Sequence, residues 1–132
     1  MIVLVQASVL SVGLKDREEE VLRELPIRVI SMQSGVEAAR SLKNEKVNGV
    51  ISKWSLDDMK DGWFVKKLRI VKPDIPTIVF VRSGDKAQEI AARSIGVSAV
   101  LPDDSNDEML RETIENVCGL KHEEVFNSAP LK

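Results

Sequence analysis

The chain has 132 residues, with 19 basic and 21 acidic side chains, a net charge of −2 and a pI near 5.5. That length suits one domain with one core, and 43% hydrophobic with 30% charged residues excludes a disordered chain. The near-even charge gives no ground for nucleic acid or a membrane as a partner. In chain order, the opening MIVLVQASVL is apolar, too short to cross a bilayer and without a basic leader, so it is expected to be a first strand over Ile2–Val5 and not a signal peptide.

Lys15–Leu25 is charged with Val21, Leu22 and Leu25 on one face, which predicts a helix closed by Pro26. Ile27–Ser31 predicts a second strand. Ser34-Gly35-Val36-Glu37 has the spacing of a capping box, opening a helix to about Asn44. Val47–Ser52 predicts a third strand. Gly62–Val71 predicts a helix, with Phe64, Val65, Leu68 and Val71 at helical spacing and Pro73 ending it. Pro76–Val81 predicts a fourth strand and Asp85–Ile95 a fourth helix closed by Gly96. Val97–Leu101 predicts a fifth strand. Ser105-Asn106-Asp107-Glu108 has capping-box spacing and opens a last helix through Cys118, ended by Gly119. The domain is expected to be residues 1–119, with 120–132 a flexible tail or linker to a further segment. The lone cysteine, Cys118, reads as a buried reduced thiol, which suits a cytoplasmic protein. Alternating strands and helices imply a parallel sheet with helices on both faces and a site beyond the carboxyl ends of the strands.

One stretch carries more than fold. Asn48 to Gly62, NGVISKWSLDDMKDG, is an apolar run ending at Lys53, then a loop and an Asp61-Gly62 turn before a helix. It resembles the middle strand and following loop of bacterial response-regulator receiver domains, the CheY-like family. MQSGVEAARSL, IPTIVFVRSGD and AARSIGVSAVL resemble that family's second helix entry, fourth strand, and fourth helix with fifth strand, so the likeness runs from about Met1 to Gly119. The resemblance implies a doubly wound α/β fold of the flavodoxin-like kind, five parallel strands in the order 2-1-3-4-5. It also implies phosphoryl transfer to an aspartate ending the middle strand, with two acidic metal ligands, a hydroxyl residue and a lysine around it.

Position by position, this chain departs from that pattern. The resemblance puts Gln6 and Ala7 at the metal ligands. It puts Lys53 at the nucleophile if one residue is inserted near Lys60, or Trp54 without the insertion. Val81, followed by Arg82, takes the hydroxyl position. Asp103 takes the lysine, flanked by Pro102 and Asp104, so the family's cis proline is lost or displaced to Leu101-Pro102. Val100 takes the aromatic position. The expectation is a pseudo-receiver: not an enzyme, without metal or cofactor, acting in two-component signalling through protein contact. The contact face implied by the resemblance is the fourth helix, fifth strand and fifth helix, through Gln88, Arg93, Val97, Ala99 and Arg111, with homodimerisation through it and Trp54 as a further contact residue.

Other readings stand beside this one. Lys53 and Asp103 invert the usual charges, and a salt bridge between them is weighed against two solvent-facing side chains, the second preferred. Lys53 with Arg82 offers an anion site against a merely charged rim. Asp57, Asp58 and Asp61 offer a displaced phosphorylation or metal site against a turn capping the following helix, the second preferred. Asp103, Asp104 and Asp107 suit the start of the last helix better than a calcium site. Lys60, Lys66, Lys67, Arg69 and Lys72 read as a solvated helix face. Trp63 reads equally as a partner anchor or as packed against the sheet edge. His122 lacks a ligand constellation.

Overall fold

The computed structural model describes residues 7–119. The expected strand Ile2–Val5, Gln6, His122 and the tail from residue 120 lie outside the described residues. The strands are β1 Ala7–Val12, β2 Ile27–Met32, β3 Gly49–Lys53, β4 Thr77–Val81 and β5 Ala99–Pro102. The helices are α1 Asp16–Arg23, α2 Gly35–Asn44, α3 Trp63–Val71, α4 Lys86–Ser94 and α5 Asp107–Cys118. They alternate along the chain, and every strand pairing is parallel in the order β2-β1-β3-β4-β5.

Alternation along the strands divides the core. Leu10, Val12, Val50, Val79 and Val81 pack with Ala38 of α2, Phe64, Val65 and Leu68 of α3 and Ala92 of α4. Val9, Ile51, Ile78, Phe80 and Leu101 pack with Val21 and Leu22 of α1 and Leu110 and Ile114 of α5. The first described strand is Ala7–Val12. It carries two serines where the opening run is apolar throughout, and both serines are buried. Ser11 and Ser31 donate to Glu19 Oε2 at 2.6 and 2.5 Å, so β1, β2 and α1 share a part-buried polar junction. The other Glu19 oxygen has Arg23 at 3.7 Å.

Helix ends follow local chemistry. The Ser34 hydroxyl accepts from the Glu37 N–H at 3.1 Å, as the capping spacing predicts. At α5 the cap is one residue later than expected: Asn106, not Ser105, accepts from the Met109 N–H at 2.8 Å, while the Ser105 hydroxyl donates to the Pro102 carbonyl at 2.7 Å. Glu18 caps α1 by accepting from the Lys15 N–H at 2.9 Å. Gly96 and Gly119 take the left-handed conformation that ends α4 and α5.

Candidate functional site

In a parallel sheet all strands end on one edge, and the loops there gather the side chains available for chemistry. β1 ends at Val12, and Gly13 and Leu14 follow. This corrects the placement of Gln6 and Ala7 at the strand's end: Ala7 opens β1, at the opposite edge, and Gln6 lies outside the described residues. Gly13 turns with φ +71°, its N–H donating to the Met32 carbonyl at 2.9 Å, and a Cβ there would lie 2.7 Å from Leu56. Leu14 is buried against the α1–α5 layer.

β3 ends at Lys53, whose side chain is exposed, and the next residue, Trp54, is buried. The Trp54 N–H donates to the Phe80 carbonyl at 2.8 Å, and its indole lies under Gly62, with the Lys66 ammonium 5.7 Å from the ring centroid. This corrects Trp54 as a partner-contact residue. At 3% exposure it belongs to the core, whereas Trp63 is 59% exposed. Of the two readings for Trp63, packing against the sheet edge fails. It stands with Ile70 on the side of α3 away from the buried Phe64, Val65 and Leu68, and that helical spacing was open to sequence reasoning.

Lys53, Trp54, Ser55, Phe80, Val81, Arg82, Gln88 and Asp103 surround a cleft of about 180 Å³. Thus the sequence-expected residues from β3, β4 and β5 do converge, without those from β1. Of the two readings for Lys53 and Asp103, the salt bridge does not form: no ion pair among the described residues joins them. Asp103 instead accepts from the Ser83 N–H at 3.1 Å, its N–H donates to the Val81 carbonyl at 2.8 Å, and its carbonyl receives Lys15 Nζ at 3.5 Å. Asp104 accepts from the Ser83 hydroxyl at 3.0 Å, and Asp107 pairs with Arg17 of α1. The Leu101–Pro102 bond is trans, as are all peptide bonds of the described residues.

The loop after β3 holds the least expected feature. Asp58 turns back to the start of α2, accepting from the N–H groups of Gly35 at 2.8 Å and Val36 at 3.0 Å. It was expected at the helix that follows; it caps the helix that precedes. Parallel topology brings every helix N-terminus to this edge, so a loop acid can serve any of them. The Gly35 N–H, then that of Val36, holds the Asp58 carboxyl below its ordinary value of 3.8. A lowered carboxyl pKa gives stability that is complete above the ordinary value and is lost as pH falls through the folded-state value. Asp58→Asn is therefore expected to flatten the loss of stability on the acid side, as read by urea midpoints at neutral pH and below the ordinary carboxyl value. An unchanged acid limb would show that the cap is not made in solution. Met59 seals the same junction, since a Cβ on Gly35 would fall 2.5 Å from its sulfur.

A magnesium ion needs oxygen ligands in octahedral array. The strand ends offer Gly13, Leu14 and Lys53, which do not fit it, and no group of three potential ligands occurs among the described residues. What the cleft offers is two cations, Lys53 and Arg82, and one acid, Asp103, which already accepts from the Ser83 N–H.

Fold and edge together define a class: a five-stranded doubly wound domain with its working loops after β1, β3, β4 and β5. The comparisons with known proteins narrow it. No protein-family model matches. The chain is 35% identical over 94 residues to a chemotaxis protein CheY homolog of Campylobacter jejuni, covering 69% of this chain and 72% of that protein. Its fold matches a CheY-like response regulator receiver domain protein from Methanospirillum hungatei, with TM-score 0.78 and 18% identity over 91% of this chain and 99% of that one. It also matches the signal receiver domain of an HD domain-containing protein from Pseudomonas fluorescens, with TM-score 0.78 and 18% identity over 90% and 99%. The chain belongs to the CheY-like response-regulator receiver family, the receiver domains of two-component signalling. No helix among the described residues is long and apolar enough to cross a membrane.

Proposed function

We infer that this receiver acts by phosphorylation-independent protein contact, a pseudo-receiver that is not an enzyme and needs no metal or cofactor. The observation that supports this is the composition of the strand ends: Gly13 and Leu14 follow β1 and Lys53 ends β3, where the family's reaction requires carboxylates. Asp58, the acid that could stand in from the β3–α3 loop, is engaged by two backbone donors at the start of α2. Asp57 and Asp61 are exposed, and among the described residues neither belongs to a group of three potential ligands that could hold a divalent cation.

The partner is a protein, met through α4, β5 and the start of α5, and a second copy of the chain is the simplest candidate. On that face Arg93 is exposed and pairs with Glu89 at 3.1 Å, Gln88 accepts from the Arg82 N–H at 2.8 Å, and Val97 and Ala99 are half-buried. Arg111 pairs with Glu24 at the end of α1 at 2.7 Å. Ile90, 65% exposed, and Met109, 46% exposed, add apolar surface on α4 and α5. A second reading, a small-anion sensor, rests on Lys53 and Arg82 lining one cleft.

Titrating the protein with Mg²⁺ and beryllofluoride while following amide spectra tests the proposal. No shift at Lys53–Gly62 or Val81–Asp103 is the expected result. Shifts there that require both Mg²⁺ and beryllofluoride would defeat it, and shifts with inorganic phosphate alone would favour the anion reading.

A further inference from the structure

Away from the strand-end cleft, α2 and α3 enclose a groove of about 510 Å³. Leu42, Phe64 and Leu68 give it an apolar floor, and Val36 and Val71 stand at its walls 50% and 63% exposed. Arg40 and Lys43 line it from α2, and Lys67 and Lys72 line it from α3 and the residue after it. None of its lining residues is acidic, although acids outnumber bases by 21 to 19 in the chain. None of the four cations has an ion-pair partner among the described residues.

An apolar floor between two cationic walls fits one kind of occupant. A simple anion would leave the floor wet, and a neutral helix would leave four charges facing it unpaired. An amphipathic helix with carboxylates along both flanks satisfies both, laying its apolar stripe on Leu42, Phe64 and Leu68 while its acids meet Arg40 and Lys43 on one side and Lys67 and Lys72 on the other. α2 and α3 have 10 and 9 residues, so the groove accepts roughly two to three helical turns. We propose that the α2–α3 groove docks an acid-flanked amphipathic helix of a partner protein. This surface is separate from the α4–β5–α5 face and leaves it open to its own partner.

The probe is a synthetic amphipathic helix with leucines at i, i+3, i+4 and i+7 and glutamates on both flanks, titrated into the full chain while amide spectra are followed. Shifts are expected at Ala39–Lys43 and Lys67–Lys72, weakening as salt is raised. The double variant Lys43→Glu with Lys67→Glu, both at exposed positions, is expected to lose affinity by at least about tenfold and to regain it toward a peptide with lysines in place of the glutamates. Several results would overturn the proposal: equal binding of a glutamine-flanked peptide; shifts confined to α4 and β5; a response to phosphatidylserine vesicles and none to the peptide; groove shifts that grow with protein concentration alone, which would make a second copy the occupant; or peptide binding only after Phe126→Ala, which would make the chain's own residues 120–132 the occupant.

Discussion

Gly62→Ala is expected to cost the fold about 2–5 kcal/mol, from two separate sources. Gly62 sits at φ +75°, where a residue with a Cβ pays about 1–2 kcal/mol. The Cβ would also lie 2.2 Å from Trp54 Cζ2, and 2.4 Å from two further indole atoms. The ring is itself buried and cannot step aside, so the turn must open or the indole leave its place, an overpacking cost of about 1–3 kcal/mol. Gly84 supplies the control. It has φ +82° but nothing within 4 Å of its Cβ position, so Gly84→Ala carries the backbone cost alone. Urea unfolding should place Gly62→Ala well below Gly84→Ala. Equal losses would mean that the indole does not pack under the turn.

The two tryptophans should separate as sharply. Trp54→Ala removes a side chain that is 3% exposed in the α2–α4 layer, and is expected to cost about 3–5 kcal/mol, the range for deleting a buried aromatic. Trp63→Ala removes one that is 59% exposed and should stay within about 0.5 kcal/mol of the parent. If Trp63 serves a partner, its loss will show in binding and leave stability unchanged. The reverse order of stabilities would overturn the assignment of Trp54 to the core.

Much of the architecture was legible because a fully buried parallel sheet writes itself as short apolar runs between amphipathic helices. Ile27–Ser31 and Pro76–Val81 were each found to within a residue of β2 and β4. Ala7–Val12 was not marked as strand, because Met1–Val5 is the more apolar run in the sequence and β1 contains Ser8 and Ser11. Ser11 earns its buried place through Glu19, a partner eight residues away on another element that no window of hydropathy reveals. With β1 unmarked, Gln6 and Ala7 stood for the residues at its carboxyl end, which are Gly13 and Leu14. The middle strand escaped this error, since its run stops at a charged residue and Lys53 is in fact its last member.

Contacts between loops were the least legible. Asp58 reaches a helix start 22 and 23 residues upstream, and nothing local distinguishes it from Asp57. Asp103 is drawn to the Ser83 N–H across the β4–β5 edge, and that local hydrogen bond, not a partner in β3, occupies it. Arg111 was read from its helix alone, and its ion-pair partner is Glu24 at the end of α1. In each case the competing partner belongs to a segment far away in sequence.

We infer that the strand ends of this receiver do not support phosphoryl transfer to a carboxylate. Intact mass after incubation with Mg²⁺ and acetyl phosphate tests it most directly, read alongside a receiver that retains the aspartate. This chain is expected to keep its unmodified mass while the reference gains a phosphoryl group. A matching gain in this chain, lost on substitution of Asp57, Asp58 or Asp61, would contradict it.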